Sequence, residues 1–499
     1  MKLINLIFAI LFIVLISGCS VCPPKGPWPM PPWCSEDDAV IIPFAETFEN
    51  VSDYASEAIS NVLAQNITGT VHAIVPLLSD KVIISIQNNS YEMTKLKDFY
   101  FTKILSLPKN SNITLTAYYE NGTIINSNDF IFEEEVFAYV SEKGIGRELI
   151  KGYSFTACHY CTVSFTKGNY LEHLNSSYDL MKADGATWVA FNPVWFLNNI
   201  TTSDLRPVYR EEYGIEGWSG WMYSTPNDEE VRLMIRWAHD RGLKVFMMPY
   251  LSTLNWSSTV LGKGNLAPNN ITAFFENYTN FIVHYATIAE DESVELISIG
   301  NELDTITDEN NMISSGYNKT QKWYDVISAV REVYGGKLTY SCSCSNNDQY
   351  PCMPEKITFW DKLDYIGFEW YIPLTSDINA TLPELIIDAK AIIDNKIKPL
   401  SEKFNKPVLF TEYGWEAKPY VWTKTYIGGG QGSFDKYAAV TAYEAVYQAM
   451  RNENFTAGMF PGWPLGNLEG MSWIKDYNGG DVRFSIIEPE IAKWYSYFK

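Results

Sequence analysis

The sequence predicts an α/β protein: a (β/α)8 barrel preceded by a small, mainly β domain, for which a β-sandwich is the best interpretation. The 499-residue chain is 46% hydrophobic, which is enough to bury a large core. From about residue 151 onward, short apolar runs alternate with amphipathic segments, as parallel strands alternate with their crossover helices. Eight such runs can be counted, the number of strands that closes a barrel, and an open doubly wound sheet is the alternative.

Residues 1–18 predict a lipoprotein-type signal peptide. The apolar run from Leu3 to Ile16 has the length of a signal-peptide core and is short for a membrane span. Ile16-Ser17-Gly18-Cys19 looks like a lipobox, in which Cys19 becomes the lipidated first residue. An uncleaved anchor or ordinary cleavage nearby is the alternative. Residues 19–36 are rich in proline and predict a semi-rigid tether to the membrane.

Glycosylation sequons point to export as well. The chain contains thirteen Asn-X-Ser/Thr sites, where roughly five are expected by chance. A lipobox combined with many sequons favours an archaeal protein on the extracellular face of the cell membrane. The asparagines are Asn50, Asn66, Asn88, Asn112, Asn121, Asn175, Asn199, Asn255, Asn270, Asn277, Asn318, Asn379 and Asn454.

Eight cysteines fit an oxidising compartment and predict disulfides. Local closures are open between Cys22 and Cys34, between Cys158 and Cys161, and between two of Cys342, Cys344 and Cys352. A zinc site that uses His159 and the neighbouring cysteines is the alternative. Because Cys342-Ser343-Cys344 lacks the usual zinc-knuckle spacing, we predict no metal.

Charge and motifs exclude several function classes. The net charge of −21 argues against nucleic acid, which is bound by clustered lysine and arginine. The glycine-rich stretch 428–433 lacks the Lys-Ser/Thr ending of a phosphate loop, and Gly217-Trp218-Ser219-Gly220 misses the nucleophile-elbow spacing of serine hydrolases. We therefore predict no cofactor.

Residues 37–147 predict the small mainly-β domain. One helix is expected at Ser52–Gln65, and Tyr119-Glu120-Asn121-Gly122-Thr123 has the composition of a hairpin turn. No functional site is visible in this domain. The expected strands are Val71–Val75, Lys81–Gln87, Ile113–Tyr119 and Asp129–Phe132.

Residues 148–499 predict the barrel. The helix near residue 230 has the clearest signals, with Thr225-Pro226 at its start and Gly242 at its end. The expected strands are Gly152–Ala157, Thr187–Asn192, Lys244–Pro249, Glu295–Gly300, Lys337–Ser341, Tyr365–Phe368, Pro407–Thr411 and Ala457–Pro461. Further helices are expected at Asn169–Ala183, Ile271–Ala289, Lys319–Tyr334, Leu382–Phe404, Phe434–Arg451 and Glu488–Phe498.

Two of these strands end in a glutamate. The fourth runs through Ile299-Gly300 into Asn301-Glu302, and the seventh runs into Glu412-Tyr413-Gly414-Trp415. The alternative for each glutamate alone is a helix N-terminal charge or a solvated loop residue, but two polar strand ends in one barrel point to a common site. Since barrel enzymes carry their chemistry at the C-terminal strand ends, Glu302 and Glu412 are expected to face each other across the mouth.

These motifs resemble glycoside hydrolase clan A, whose barrels carry an Asn-Glu acid/base on strand four and a nucleophilic glutamate on strand seven. Within this clan, the sequence is most similar to family 113, which includes β-mannanases. The similarity rests on Gly367-Phe368-Glu369-Trp370-Tyr371 and Trp463. The similarity covers about residues 151–499. The sequence lacks the arginine that many clan members place near the end of the first strand.

The resemblance implies roles for individual residues. Glu302 would be the acid/base and Glu412 the nucleophile, with Asn301 contacting the sugar 2-hydroxyl. Tyr371 would hydrogen-bond the nucleophile and Trp463 would form the floor of the subsite beside the cleaved bond. Glu369 is an extra carboxylate that the pattern does not need, so which side chain of this strand turns inward stays open.

The proposed pair fits glycosidic cleavage, which needs one protonated carboxylic acid and one ionised carboxylate. The charge of Glu412 is expected to raise the pKa of Glu302. Aromatic residues at the strand ends are candidates for stacking on sugar rings, although each alone is more often a core residue. They are Trp195, Tyr250, Trp256, Trp370 and Trp415.

The sequence therefore predicts a retaining β-glycoside hydrolase for a β-linked oligo- or polysaccharide, with a mannan-like substrate as one candidate. Two alternatives stay open. One is a barrel that binds surface glycans without cleaving them, and the other is a transglycosylase.

Overall fold

The structure is a computed structural model. It describes residues 66–77, 79–155, 170–209, 225–254, 263–308, 318–347, 350–351, 354–415, 417–424, 435–462 and 487–499. The signal peptide, the tether and the helix expected at Ser52–Gln65 lie outside these residues. Among the helices of the described ranges, none combines the length and the apolar character that a membrane crossing requires.

The N-terminal domain contains two four-stranded sheets. Strands β4, β5, β1 and β8 form one sheet in that order, and β3, β2, β6 and β7 form the other. Alternate residues of both sheets share one buried cluster, so the domain is a sandwich. The strands are β1 (Asn66–Ile74), β2 (Ser79–Ile86), β3 (Asn89–Glu92), β4 (Thr94–Lys97), β5 (Tyr100–Pro108), β6 (Asn112–Tyr119), β7 (Ile124–Ile131) and β8 (Glu135–Tyr139).

The predicted hairpin joins β6 and β7. Gly122 takes a φ of 83°, which only glycine adopts without strain, and Thr123 N donates to Asn121 Oδ1 at 3.0 Å. Strands β3, β4, β5 and β8 were not predicted. β3 and β4 are mostly exposed and carry no apolar alternation, whereas β5 and β8 bury several of their residues and were missed.

Eight parallel strands close the barrel, and each corresponds to a predicted strand. The circuit runs through β9, β10, β13, β15, β16, β18, β19 and β20, and β20 pairs again with β9. The strands are β9 (Ile150–Phe155), β10 (Trp188–Phe191), β13 (Lys244–Met247), β15 (Leu296–Asn301), β16 (Lys337–Asn347), β18 (Ile366–Tyr371), β19 (Val408–Tyr413) and β20 (Thr456–Pro461).

Four short strands that the sequence did not predict lie beyond the barrel strands. Strands β12, β11 and β14 form a small sheet, and β17 pairs back onto the end of β16. Their bounds are β11 (Val194–Leu197), β12 (Leu205–Arg206), β14 (Tyr250–Thr253) and β17 (Tyr350–Pro351).

Helices in the described ranges follow the predicted positions, except for the one-turn helix α4, which was not predicted. They are α1 (Tyr170–Ala183), α2 (Asp228–Asp240), α3 (Ile271–Asp291), α4 (Asp304–Thr307), α5 (Lys319–Val333), α6 (Leu382–Ile392), α7 (Lys398–Phe404), α8 (Lys436–Met450) and α9 (Ile487–Tyr497).

Two helix predictions need correction. Helix α2 is capped by Asn227 rather than Thr225, since Asn227 and Glu230 exchange side-chain and backbone hydrogen bonds in a capping box. The single helix expected at Leu382–Phe404 is interrupted by a π-helical turn at Ile393–Ile397. Pro399 lacks the N–H that a continuous helix needs there, so the turn widens.

The barrel has two apolar layers. Trp188, Phe246, Leu296, Leu409 and Phe460 are among the side chains that fill its interior. A larger cluster packs between the strands and the surrounding helices. Successive residues along each strand therefore point alternately into the barrel and toward a helix. This alternation decides which side chains reach the mouth of the barrel.

The N-terminal domain packs against α8 and α9 on the outside of the barrel. Ser141 Oγ donates to Lys493 O at 2.7 Å, and Gly144 N donates to Ser496 O at 2.7 Å. The rings of Tyr100 and Tyr437 meet edge to face with centroids 4.8 Å apart. These contacts use the helix layer and leave the strand ends to the site.

Candidate active site

Residues from three strands meet at the C-terminal end of the barrel. Asn301 ends β15, Glu369 and Tyr371 lie on β18, and Glu412 lies on β19. The strand pairing is irregular at each of these places, with register shifts between Ser298 and Asn301, Phe368 and Glu369, and Phe410 and Tyr413. Bulges of this kind redirect side chains next to functional sites.

Glu302 follows β15 in an unusual backbone conformation. Its φ is 50°, in the left-handed region that costs a residue with a Cβ about 1–3 kcal/mol. Two hydrogen bonds hold the turn: Glu302 N donates to Ser341 O at 2.9 Å, and Leu303 N donates to Tyr340 OH at 2.8 Å. The surrounding barrel thus stabilises a conformation that the segment would not favour alone.

Lys263 lies beside Glu302 and was not predicted. It begins a short 3-10 turn, Lys263–Asn265, and its side chain is only 9% exposed. Its Nζ lies 2.7 Å from Glu302 Oε2 and also donates to Asn301 Oδ1. The same Nζ lies 3.5 Å from the ring centroid of Tyr250, so that ring is brought to the site. A lysine between predicted elements carries no periodic signal that would have singled it out.

The contact with Lys263 corrects the expected direction of one pKa. Burial alone raises the pKa of Glu302. The charge of Lys263, with hydrogen bonds from Glu369, Lys263 and Ser343, outweighs burial, so the pKa of Glu302 is lowered from its usual range. In the free protein, Glu302 is the ionised partner of an ion pair.

Glu412 has the opposite environment. Burial first, and then the negative charge of Glu302, raise its pKa to about 7, although the hydrogen bond from Tyr371 opposes the shift. Tyr371 OH donates to Glu412 Oε1. The structure therefore contains the tyrosine–glutamate contact that the resemblance implies.

Glu369 turns inward and lies in the same cluster, with 1% of its surface exposed. Asn301 Nδ2 and Ser341 Oγ donate to its Oε1 at 2.5 Å and 2.7 Å. Burial, followed by the charges of Glu302 and Glu412, raises the pKa of Glu369 well above its usual range. This environment favours the protonated form of Glu369.

Three of the predicted aromatic residues point away from the mouth. Trp370 follows Glu369 on β18, so it faces the helix layer, where it packs on Phe410 and is fully buried. Trp415 is fully buried against Tyr413 and Tyr443.

Trp195 packs on α3 through Phe281, His284 and Tyr285. The expectation that Trp195, Trp370 and Trp415 stack on sugars is thus corrected: these rings are used for packing. Trp256, Trp463 and Cys19 lie outside the described residues.

Two cysteines of the predicted loop closure are described. Cys344 is disulfide-bonded, and Cys342 is a buried free thiol. Which residue pairs with Cys344 stays a prediction, since Cys352 lies outside the described ranges. Within those ranges, no three His, Cys, Asp or Glu side chains are grouped as metal ligands would be.

The raised pKa of Glu412 predicts a pH-dependent stability cost. The group is ionised in the unfolded chain above about pH 4.3, but in the folded protein only above about 7, so the folded state loses stability as the pH rises between these values. Replacing Glu412 with glutamine removes this cost and keeps an oxygen for Tyr371. We expect Glu412→Gln to raise the free energy of unfolding by about 3–4 kcal/mol at pH 8, and much less at pH 4.

Urea unfolding at the two pH values measures this difference. Glu355→Gln, at an exposed position, is the matched control and should change the stability little at either pH. An equal gain at both pH values, or no gain at pH 8, would show that burial does not destabilise the ionised Glu412.

Comparisons with known proteins agree with this geometry. The family model for Glycoside Hydrolase Family 113 matches residues 161–465, more than half of the chain. The fold is similar to that of the GH113 β-mannanase AaManA from Alicyclobacillus acidocaldarius, solved in complex with ManMIm. The TM-score is 0.53 at 19% identity, covering 71% of this chain and 98% of that one.

A second solved structure, a GH113 β-1,4-mannanase, gives a TM-score of 0.53 at 20% identity, covering 70% of this chain and 99% of that one. A search of curated proteins found no significant match. The two structural likenesses show a shared barrel fold, and the match of the family model shows the family. The chain belongs to Glycoside Hydrolase Family 113 and is a glycoside hydrolase.

Proposed function

We propose that the protein is a retaining β-glycosidase that cleaves β-linked mannan-type polysaccharides. The observation that carries the proposal is the meeting of Glu302, from the end of β15, with Glu412, from β19, at one end of the barrel. The mannan substrate is supported by the family and by its solved members, which are β-mannanases.

Glu412 is assigned the role of nucleophile. It attacks the anomeric carbon as a carboxylate, and Tyr371 orients it through the hydrogen bond to Oε1. Because the charge is buried, it is poorly solvated, which favours bond formation to a carbon that becomes positive in the transition state. The raised pKa of Glu412 predicts that kcat/KM falls as the pH drops below about 7.

Glu302 is assigned the role of acid/base. It protonates the leaving oxygen in the first step and removes a proton from water in the second, so that both steps use the same side chain. Asn301 is held on both ends of its amide, since Oδ1 accepts from Lys263 and Nδ2 donates to Glu369. The second hydrogen of Nδ2 is then available for the sugar 2-hydroxyl.

Two alternatives make different use of the same site. A transglycosylase would pass the glycosyl group to a second sugar rather than to water. A barrel that only binds glycans would gain nothing from three clustered carboxyl groups, one fully buried and two partly buried, whose desolvation destabilises the fold. This cost favours a catalytic role.

The test uses a panel of β-1,4-linked mannan, glucan, galactan and xylan together with two variants. Glu412→Ala should lower turnover by several orders of magnitude on every substrate, including an aryl glycoside whose leaving group needs no proton, because no intermediate forms. Glu302→Ala should strongly reduce mannan cleavage but allow the first step on the activated aryl glycoside. Azide should then restore turnover and give the β-glycosyl azide.

The readouts are initial rates and the configuration of the azide product. Equal losses in both variants without rescue by azide would mean that the roles are wrongly assigned. Full binding of mannan by the wild type without release of product would favour the glycan-binding alternative, and oligosaccharides longer than the substrate would favour the transglycosylase.

We also propose that the enzyme is lipid-anchored outside the cell, on the basis of the leader that ends at Cys19 and the many sequons. Metabolic labelling with a radioactive fatty or isoprenoid lipid should mark the wild type, while Cys19→Ala should be unlabelled and released into the medium. Cys22→Ala is the matched control. Label that persists in Cys19→Ala would refute acylation at this residue.

A further inference from the structure

The acid/base carboxyl is in the wrong protonation state for its first task. In the free enzyme, Glu302 is paired with the Lys263 ammonium at 2.7 Å, and such a pair favours the ionised carboxylate. The first step of the proposed reaction requires Glu302 to donate a proton. A proton source must therefore lie within reach of Glu302.

Glu369 is that source by position. It is hydrogen-bonded to Glu302, and two carboxyl groups can share a hydrogen bond only if one of them carries a proton. Lys263 contacts Glu302 directly at 2.7 Å, and an ammonium favours the ionised form of the carboxyl group that it touches. The proton of the pair consequently resides on Glu369.

The other neighbours of Glu369 support this placement. Asn301 and Ser341 both donate to Oε1, which leaves Oε2 to carry the proton. Ser341 lies on β16 and also shares a hydrogen bond of 2.5 Å with Thr411 on β19. Its hydroxyl group is therefore held between Glu369 and Thr411. No role in the proposed reaction had been assigned to Glu369, and a buried carboxyl without one is costly.

Charged and titratable groups surround Glu369 on several sides. Glu302 and Glu412 raise the pKa of Glu369, and Lys263 lowers it by less. The pKa values of Tyr371 and Cys342 are raised by burial, so both are neutral neighbours. The charges of Glu302 and Glu412 thus favour the protonated form of Glu369, and the charge of Lys263 opposes it.

We propose that Glu369 stores the proton for Glu302 and passes it on when substrate is bound. This inference rests on the proposed function. As the glycosidic oxygen gains negative charge, the Glu369 proton moves to a Glu302 oxygen, and Glu302 protonates the departing oxygen. Glu369 is left as a carboxylate. In the second step Glu302 takes a proton from the attacking water and returns it to Glu369, so the cycle balances.

Glu369 is a positioning residue in this scheme, because it acts through Glu302. Glu369→Gln keeps an oxygen for Asn301 and Ser341 and an N–H toward Glu302, but it has no transferable proton. We expect kcat/KM on mannan at pH 7 to fall by at least about 100-fold, the contribution of general acid catalysis. An activated aryl mannoside should lose less than about threefold, since its leaving group needs no proton.

Two further readouts separate proton storage from a structural role. The basic limb of the pH profile on mannan should move to lower pH in Glu369→Gln, because Glu302 then depends on its own lowered pKa. Azide should not accelerate the variant, since Glu302 still acts as the base. Glu355→Gln, which replaces an exposed glutamate outside the cluster, is the matched control and should keep the pH profile unchanged.

Infrared spectroscopy tests the same point without turnover. At pH 7 the protonated carboxylic acid signal of the free wild type, to which Glu412 also contributes, should lose one band in Glu369→Gln and keep that band in Glu302→Gln. A band lost in Glu302→Gln instead would overturn the proposal, as would equal losses of Glu369→Gln on all substrates with an unchanged pH profile. If the wild type cleaves no glycan, the proposed function fails and the infrared result still decides where the proton lies.

Discussion

Three carboxyl side chains, Glu302, Glu369 and Glu412, share the mouth of the barrel with one buried ammonium, that of Lys263. One cation can compensate one of the three negative charges, so the remaining carboxyl groups favour their protonated forms. Contact decides which group stays ionised. Lys263 touches Glu302, and the pKa values of Glu369 and Glu412 rise. The assignment of roles follows from this unequal distribution.

The scaffold explains how the cluster persists despite its cost. Parallel strands of one barrel bring Asn301 and Glu412 to the same end although they are far apart in the chain. Irregular pairing beside Asn301, Glu369 and Glu412 and the left-handed backbone of Glu302 are local departures from ideal geometry. The apolar interior of the barrel and its helix layer supply the stability that offsets them.

The sequence predicted what depends on patterning along the chain. All eight barrel strands were found, because each is a short apolar run between helical segments, and the strand-end positions of Glu302 and Glu412 followed from these runs. Trp370 was misplaced, although strand parity was available as a signal: with Tyr371 at the site, its neighbour Trp370 must face the helices. Lys263 could not be predicted, since it lies in a loop and acts through contacts that only the folded chain creates.

The predicted direction of the Glu302 pKa shift was wrong for the same reason. The prediction included the charge of Glu412 but not that of Lys263. Glu369 was noticed as an extra carboxylate, yet its link to Asn301 and Ser341 needed the barrel. Chemistry that depends on strand ends is thus readable from a sequence. Chemistry that depends on which charges touch is not.

The central claim is that Glu412 forms the covalent intermediate while Glu302 does not. A 2-deoxy-2-fluoro mannosyl fluoride forms the intermediate and slows its breakdown, because fluorine withdraws electrons from the anomeric centre. Peptide mass spectrometry of the inactivated enzyme should place one fluorosugar on Glu412, and Glu412→Gln should take up none. A label on Glu302 or Glu369, or complete turnover with inversion of the anomeric configuration, would contradict the account.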